Sequence, residues 1–321
     1  MKGMKVRIRT PSRIHITLID LNGALGRVDG GVGLALEEPF IEITAEEADE
    51  PEGVIVEGSR NQRYRDVAER VSSVFNSGGI KLKVLHEYEP HVGLGSGTQI
   101  SLAVAKAYAE LYGLNKSIEE LAYVVGRGGT SGIGVAAFRV GGFVVDGGHS
   151  RNEKKDFLPS SASKVPPPPL ISRLDFPKWK IFLAVPGSKG FYGHKEVNLF
   201  QENCPIPLDE VRELAHIILM KLLPSVVEED IQTFGDALWR IQHLGFKKTE
   251  INQYGEKIWG LMREARDVFP AVGMSSTGPT VYCISDSGTR NDLESIINEA
   301  EMDFAVYETV ARNRGADIER M

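Results

Sequence analysis

Gly93, Gly95 and Gly97 alternate in "HVGLGSGTQ" and run straight into a long apolar-striped segment. Glycine lets backbone approach a ligand closely and reach positive φ. A helix that starts at such a loop presents unpaired N–H groups and about half a positive charge at its first turn. Together these make an anion site suited to phosphate. The backbone of Gly93, Leu94, Gly95, Ser96, Gly97 and Thr98 is therefore assigned to phosphate. The loop is not a Walker loop, because Thr98-Gln99 stands where "GK[ST]" would close it. Nor is it the dinucleotide fingerprint, which needs a suitably placed downstream acid. A glycine-rich helix entry without a ligand is the alternative.

Charged and hydroxyl residues gather near other glycines. Arg13 and His15 lie two apart on a strand pattern, so they face one side and could touch phosphate. Asp20 and Arg27 flank the turn "LNGALG", and loops carry function more often than the elements they join. The planar fork of Arg27 fits a carboxylate or phosphate. Arg127 and Ser131 sit in a second glycine-rich run, "GRGGTSGIG". Ser275, Ser276, Thr277 and Gly278 form a turn that could close a pocket from the other half. Lys189, His194 and Lys195 make a basic, glycine-spaced loop suited to a lid over an anionic substrate. Asp29 reads as a turn residue before Gly30, and His149 and His194 have no metal-ligand spacing. For each charge the alternative is a solvated or turn-capping role.

Elements must hold these groups in place. Ile100, Ala103, Val104, Ala107, Tyr108 and Leu111 fall on one helical face, ended by Gly113. Ser117 followed by Glu120 predicts a capping box. Val6 to Asp20 predicts one or two strands, broken at Pro11, and Gly23 to Gly33 predicts a turn or bent loop. "FIEITAEE" and "GIKLKVLHEY" alternate as strands, and "YRDVAERVSSVF" has helical spacing. From Arg151 to Leu170 the pattern collapses into charges, serines and four consecutive prolines, which places a boundary between residues 1–160 and 161–321. Strand and helix patterns mix within each half, so the expected class is α+β with two packed domains.

The chain has 321 residues and a formal net charge of −7, a poor match to a general nucleic-acid binder. Two cysteines, Cys204 and Cys283, match no metal spacing and suit a reducing compartment. No apolar stretch approaches the roughly 20 residues needed to span a bilayer. "MKGMKVRIRT" lacks the apolar core of a signal peptide, so a cytoplasmic protein without membrane partners is expected.

"PSRIH", "GLGSGTQISLA", "GRGGTSGIGVAAFRVGG" and "MSSTGPTVYCI" occur in the order found in the GHMP superfamily of small-molecule kinases. The chain resembles that superfamily over nearly its whole length, which implies a two-domain GHMP-kinase-like architecture. In those kinases the segment like "SGIG" continues into an aspartate that orients the attacking hydroxyl; here the matching position is Gly134. "RIHITLIDLNGALGRVDGGVGLALEEP", and more loosely "GFYGHKEVNLFQENCPIP", are similar to a non-kinase branch, the β-ribofuranosylaminobenzene 5′-phosphate synthases. That resemblance implies condensation of 4-aminobenzoate with phosphoribosyl pyrophosphate, releasing CO₂ and pyrophosphate, in methanopterin biosynthesis. It implies pyrophosphate on the glycine loop with a bound Mg²⁺ whose protein ligands are unassigned. Asp20 would stabilise the cationic ring and Arg27 an anion as the catalytic pair. A homodimer is expected. The alternatives are an ATP-dependent kinase and a non-catalytic binder of a phosphorylated metabolite.

Overall fold

The computed structural model describes residues 4–48, 50, 53–58, 61–160, 162–187 and 193–321. Lys189 lies outside the described residues.

The longest pairing in the molecule joins β1 (Lys5–Asp20) to β2 (Arg27–Glu47), antiparallel. β1 does not break at Pro11. A register shift between Thr10 and Ser12 takes the proline out of the ladder, as a residue lacking an N–H requires. Of the glycine run only the first part is a turn, with Gly23 and Gly26 at positive φ; Gly30 to Gly33 lie inside β2. The physical reason is thickness. A Cβ on Gly31 would stand 2.7 Å from Ser131 Oγ, and one on Gly33 2.3 Å from Ile133 Cγ2. The glycines thin the ribbon so that the helix starting at Ile133 can lie on it.

β3 (Val54–Glu57), α1 (Asn61–Phe75), β4 (Ile80–His86), α2 (Ser96–Leu111), α3 (Ile118–Val124), α4 (Ile133–Arg139), β5 (Phe143–Asp146), β6 (His149–Ser150) and β7 (Leu170–Leu174) follow. Then come β8 (Lys180–Pro186), α5 (His194–Asn203), α6 (Leu208–Ile217), a π-helical stretch Ile218–Leu222, α7 (Leu223–Val227), α8 (Ile231–Gln242), α9 (Gly245–Asn252) and α10 (Glu256–Arg266). β9 (Ala271–Met274), β10 (Val281–Ser285), α11 (Arg290–Glu299), β11 (Phe304–Val310) and β12 (Asp317–Arg320) complete the order.

One sheet runs β12-β1-β2-β4-β3, with β5 also on β2 and β7 on β5; the other runs β11-β8-β10-β9. Chain beyond residue 160 thus contributes β7 and β12 to the first sheet. The Arg151–Leu170 segment is packed against the first sheet: Gly147 N–H donates to Pro169 O at 2.8 Å, and Lys154 is buried. One apolar core unites Ile14, Val32 and Leu34 of the ribbon with Ile181, Leu183, Tyr282 and Phe234 of the second half. α2 is buried almost all round, not on one face. Its alanines let it press on the first sheet, and a helix apolar on every side is an interior helix. The Ser117–Glu120 capping box is present.

Candidate active site

The buried α2 opens into a cavity of about 250 Å³ lined from both halves. Gly95 takes the N-cap position at φ 83 and offers no side chain, so the Ser96 and Gly97 N–H groups are left for a ligand, while the Thr98 N–H donates to Gly95 O at 3.1 Å. Gly93, Gly95, Ser96, Gly97 and Thr98 line the cavity. Leu94 lies behind it: its side chain is in the core and its carbonyl accepts from the Arg13 N–H and Tyr88 Oη.

Three guanidinium groups crowd this helix start. A Cβ on Gly95 would stand 3.1 Å from Arg13 Nε; one on Gly97 would stand 3.3 Å from Arg127 Nη2 and 3.4 Å from Arg63 Nη2. Glycine here makes room for arginine as much as for ligand. Arg13 Nη1 donates to Gly93 O at 2.5 Å and Arg127 Nε to Ser101 Oγ at 3.2 Å. Burial, then the neighbouring Arg63 and Arg70 charges, pull Arg127 down to about 10. Both groups remain cationic at neutral pH, at a helix end that already favours anions.

Two carboxylates face the same space. Glu250 of α9 pairs with Lys247 Nζ at 2.5 Å, and that Nζ also donates to Ser276 O at 3.0 Å. Glu196 of α5 is raised to about 7 by burial, then by the Glu250 charge.

The Ser275–Gly278 turn is laced across the gap between halves. Ser275 Oγ donates to Gly93 O at 2.7 Å and accepts from the His15 N–H at 3.0 Å, while the Ser276 N–H donates to His15 O at 2.9 Å. A Cβ on Gly93 would meet Ser275 O at 2.4 Å, so that glycine is fixed by the crossing chain. Ser276, Thr277 and Gly278 line the cavity, and Ser275 is buried behind it.

His15 and Ser131 also line the cavity, joined at 3.0 Å between His15 Nε2 and Ser131 Oγ. Ser131 Oγ lies 3.4 Å from Asp146 Oδ2, and Asp146 accepts from the Gly132 and Gly148 N–H groups. Burial raises Asp146 to about 7 against the pull of those hydrogen bonds. Burial, then the Arg13 and Lys247 charges, hold His15 well below its usual range, so it is neutral. Gly134 lines the cavity as well; a Cβ there would stand 3.0 Å from Thr98 Cγ2, so any side chain at this position would have to displace Thr98 slightly.

The remaining expected residues lie off the lining. Asp20 Oδ1 accepts from the Asn22 and Gly23 N–H groups at 2.8 Å, which closes the turn after β1. Leu18, two residues before it on the strand, does line the cavity. Arg27 is exposed and donates to Gly147 O at 2.9 Å and Gly148 O at 2.7 Å. His194 and Lys195 are exposed at the start of α5, where Gly193 and Glu196 line the cavity. Asp29 is a buried strand residue, not a turn charge. It sits at φ 68, is 1% exposed, and pairs with His149 Nδ1 at 2.6 Å and with Lys154 Nζ at 3.0 Å.

Sequence patterns missed Arg63, Glu196, Lys247, Glu250 and Asp146. Only Asp146 had a local signal, a strand end followed by two glycines in "VVDGG". Among the described residues no group of three or more His, Cys, Asp or Glu side chains could hold a metal ion, and no helix is long and apolar enough to cross a membrane.

The family model for the GHMP kinases N terminal domain matches residues 62–142. The chain is similar to the beta-ribofuranosylphenol 5'-phosphate synthase of Archaeoglobus fulgidus, 57% identical over 98% of this chain and 99% of the relative. It is also similar to the Methanothermobacter thermautotrophicus protein of the same name, 44% identical over 96% and 97%. In fold it resembles the mevalonate kinase of Methanococcus jannaschii, with TM-score 0.68 and 15% identity over 98% and 100% of the two chains. It likewise resembles homoserine kinase from Cytophaga hutchinsonii, with TM-score 0.68 and 15% identity over 99% and 98%.

Proposed function

The chain belongs to the beta-ribofuranosylphenol 5'-phosphate synthase family, and on that premise we propose that its cavity joins phosphoribosyl pyrophosphate to a para-substituted benzoate with loss of CO₂ and pyrophosphate. The observation that carries this reading is the set of three arginines around the open start of α2. A pyrophosphate there meets helix N–H groups and fixed cations, and both strengthen as charge builds on the leaving group.

The bond between ribose C1 and the pyrophosphate oxygen breaks with its electron pair on oxygen. The ring carbon bearing the carboxylate supplies the pair for the new C1–C bond. Positive charge then spreads to the para substituent, and departure of CO₂ returns a pair to the ring. The relatives' name specifies a phenol, whereas "RIHITLIDLNGALGRVDGG" pointed to an aniline; a para hydroxyl and a para amine both supply the electrons this step needs. Gly134 supports transfer of ribose over transfer of phosphate, because phosphoryl transfer to an alcohol relies on a group that positions the nucleophile.

Arg13, Arg63 and Arg127 hold pyrophosphate with the backbone of Ser96 and Gly97. Asp20 and Arg27 act from outside the lining, in place of the direct contacts expected of Asp20 with the ring and of Arg27 with an anion. Arg27 clamps the Gly147–Gly148 turn, whose N–H holds Asp146, and Asp20 shapes the turn next to Leu18. Among the described residues no cluster makes a protein cage for Mg²⁺, so the ion would enter on the pyrophosphate and neutralise part of its charge. A homodimer is the assembly we expect, and sedimentation would test it.

The test is incubation with phosphoribosyl pyrophosphate and carboxyl-labelled 4-hydroxybenzoate or 4-aminobenzoate. Labelled CO₂ released with equal pyrophosphate supports the reading, and the faster acceptor names the substrate. ADP formed from ATP with mevalonate or homoserine, without CO₂ from either benzoate, overturns it.

A further inference from the structure

His15 Nδ1 is buried with no hydrogen-bond partner, although the side chain lines the cavity and its other nitrogen is engaged. Unsatisfied buried polar atoms are few in native proteins and ask for a reason. The residues behind the ring supply one. Ser131 Oγ bridges His15 Nε2 and Asp146 Oδ2, and the Ile133 N–H donates to the same oxygen at 3.3 Å.

We propose that His15 is a catalytic residue of this reaction, a neutral base at Nδ1 for the acceptor's para hydroxyl or amine, with Ser131 and Asp146 as positioning residues that set its tautomer. The proposal rests on the ribosyl-transfer reading above. With Asp146 ionised, Ser131 donates to it, His15 Nε2–H donates to Ser131, and the Nδ1 lone pair is left for the acceptor. With Asp146 protonated the chain of donors reverses, and Nδ1 carries a hydrogen it cannot exchange for the substrate's. As the C1–C bond forms, the para O–H or N–H proton moves to Nδ1. As CO₂ leaves with its pair left in the ring, the proton returns to the para atom. No net proton is gained, and the positive charge never has to rest on the ring beside Arg13.

Other charges bear on both ends. Arg13 on the same strand and Lys247 from α9 face His15 and keep it neutral before turnover. His149 of β6 and Asp29 of β2 face Asp146 and act in opposite directions.

The active tautomer needs ionised Asp146, so kcat rises with pH through about 7, the value at which Asp146 titrates. His15→Gln keeps a contact to Ser131 but cannot take up a proton; its kcat falls by about 10²–10⁴, with the donor KM unchanged. Ser131→Ala lowers kcat and removes the acid limb, which a merely structural role would not do. A readout without turnover is the ¹⁵N spectrum of His15, assigned by its loss in His15→Gln. The wild type moves from the Nδ1–H to the Nε2–H tautomer as pH rises through about 7, and Ser131→Ala does not. A wild type that releases CO₂ while His15→Gln keeps its kcat overturns this proposal and leaves the ribosyl-transfer reading standing. A His15 tautomer that is independent of pH, or a Ser131→Ala variant that switches as wild type does, overturns it whatever the turnover.

Discussion

Two buried polar clusters sit on the same β1–β2 ribbon and differ in one respect. In the first, Lys154 Nζ contacts both Asp29 oxygens, Gly129 O, Thr130 Oγ1 and Leu158 O, while His149 bridges Asp29 and Pro166 O. Every charge has its opposite and every donor an acceptor. In the second, Arg13, Arg63 and Arg127 gather at a helix start that adds to their charge, and His15 Nδ1 has no partner. A compensated cluster locks chain segments together. A cluster that gathers several cations at a helix start beside a cavity carries a stability cost that an anionic ligand can offset. Compensation therefore separates structure from function better than burial or residue type does, since both clusters hold buried histidine and long cations.

Breaking the sealed cluster should give the largest effect on the fold. Lys154→Ala removes the buried ammonium that pairs with the buried Asp29 carboxyl, and losing one partner of such a pair costs about 3–5 kcal/mol. Denaturant unfolding should register that loss. A drop under about 1 kcal/mol, the range of exposed pairs, would mean the cluster is solvated and the contrast fails.

Arg27 tests the junction of the two regions. Its guanidinium grips the turn between Asp146 and His149. Arg27→Gln should leave the melting temperature close to wild type but lower kcat by about a hundredfold, the scale of a misplaced catalytic group. Arg27→Lys keeps a charge but cannot bond both carbonyls at once, and should recover part of the rate. Full activity in Arg27→Gln would detach this turn from the site.

The smallest effect sharpens the second cluster. The Glu196 carboxyl titrates near 7, and an incoming polyanion raises it further, so binding takes up protons. Its folded value is raised, hence pyrophosphate affinity should increase as pH falls from 8 to 6. Glu196→Gln carries the ligand's own protonation but not this one. Calorimetry should show a shallower pH dependence for the variant, by less than about tenfold per unit. Identical slopes would remove Glu196 from the anion's surroundings.

What the sequence disclosed follows the range of the interactions. The α2 helix, its glycine entry, the Ser117–Glu120 cap and the "SSTGP" turn are local, and each was readable from neighbouring residues. The glycines of β2 misled for a long-range reason: they answer to Ser131 and Ile133, a hundred positions away in sequence, not to a bend of their own chain. Arg63 on α1, Glu196 on α5 and Glu250 on α9 reach the cavity only because the two halves share one core, and no short pattern records that. Asp20 and Arg27 stood out as charges on a turn, but the turn and the Gly147–Gly148 carbonyls use them locally.

The central claim is that the arginines gathered at the start of α2 are a pyrophosphate site. Titration of pyrophosphate into the wild type and into Arg127→Gln, followed by calorimetry at fixed salt and pH, tests it most directly. A charge-assisted hydrogen bond contributes about 1.5–3 kcal/mol, so the variant should bind roughly ten- to a hundredfold more weakly. Its melting temperature without ligand should equal or exceed that of the wild type, because a desolvated like charge has been removed. An Arg127→Gln protein that binds pyrophosphate as tightly as wild type, or a wild type that does not bind it at all, would contradict the account.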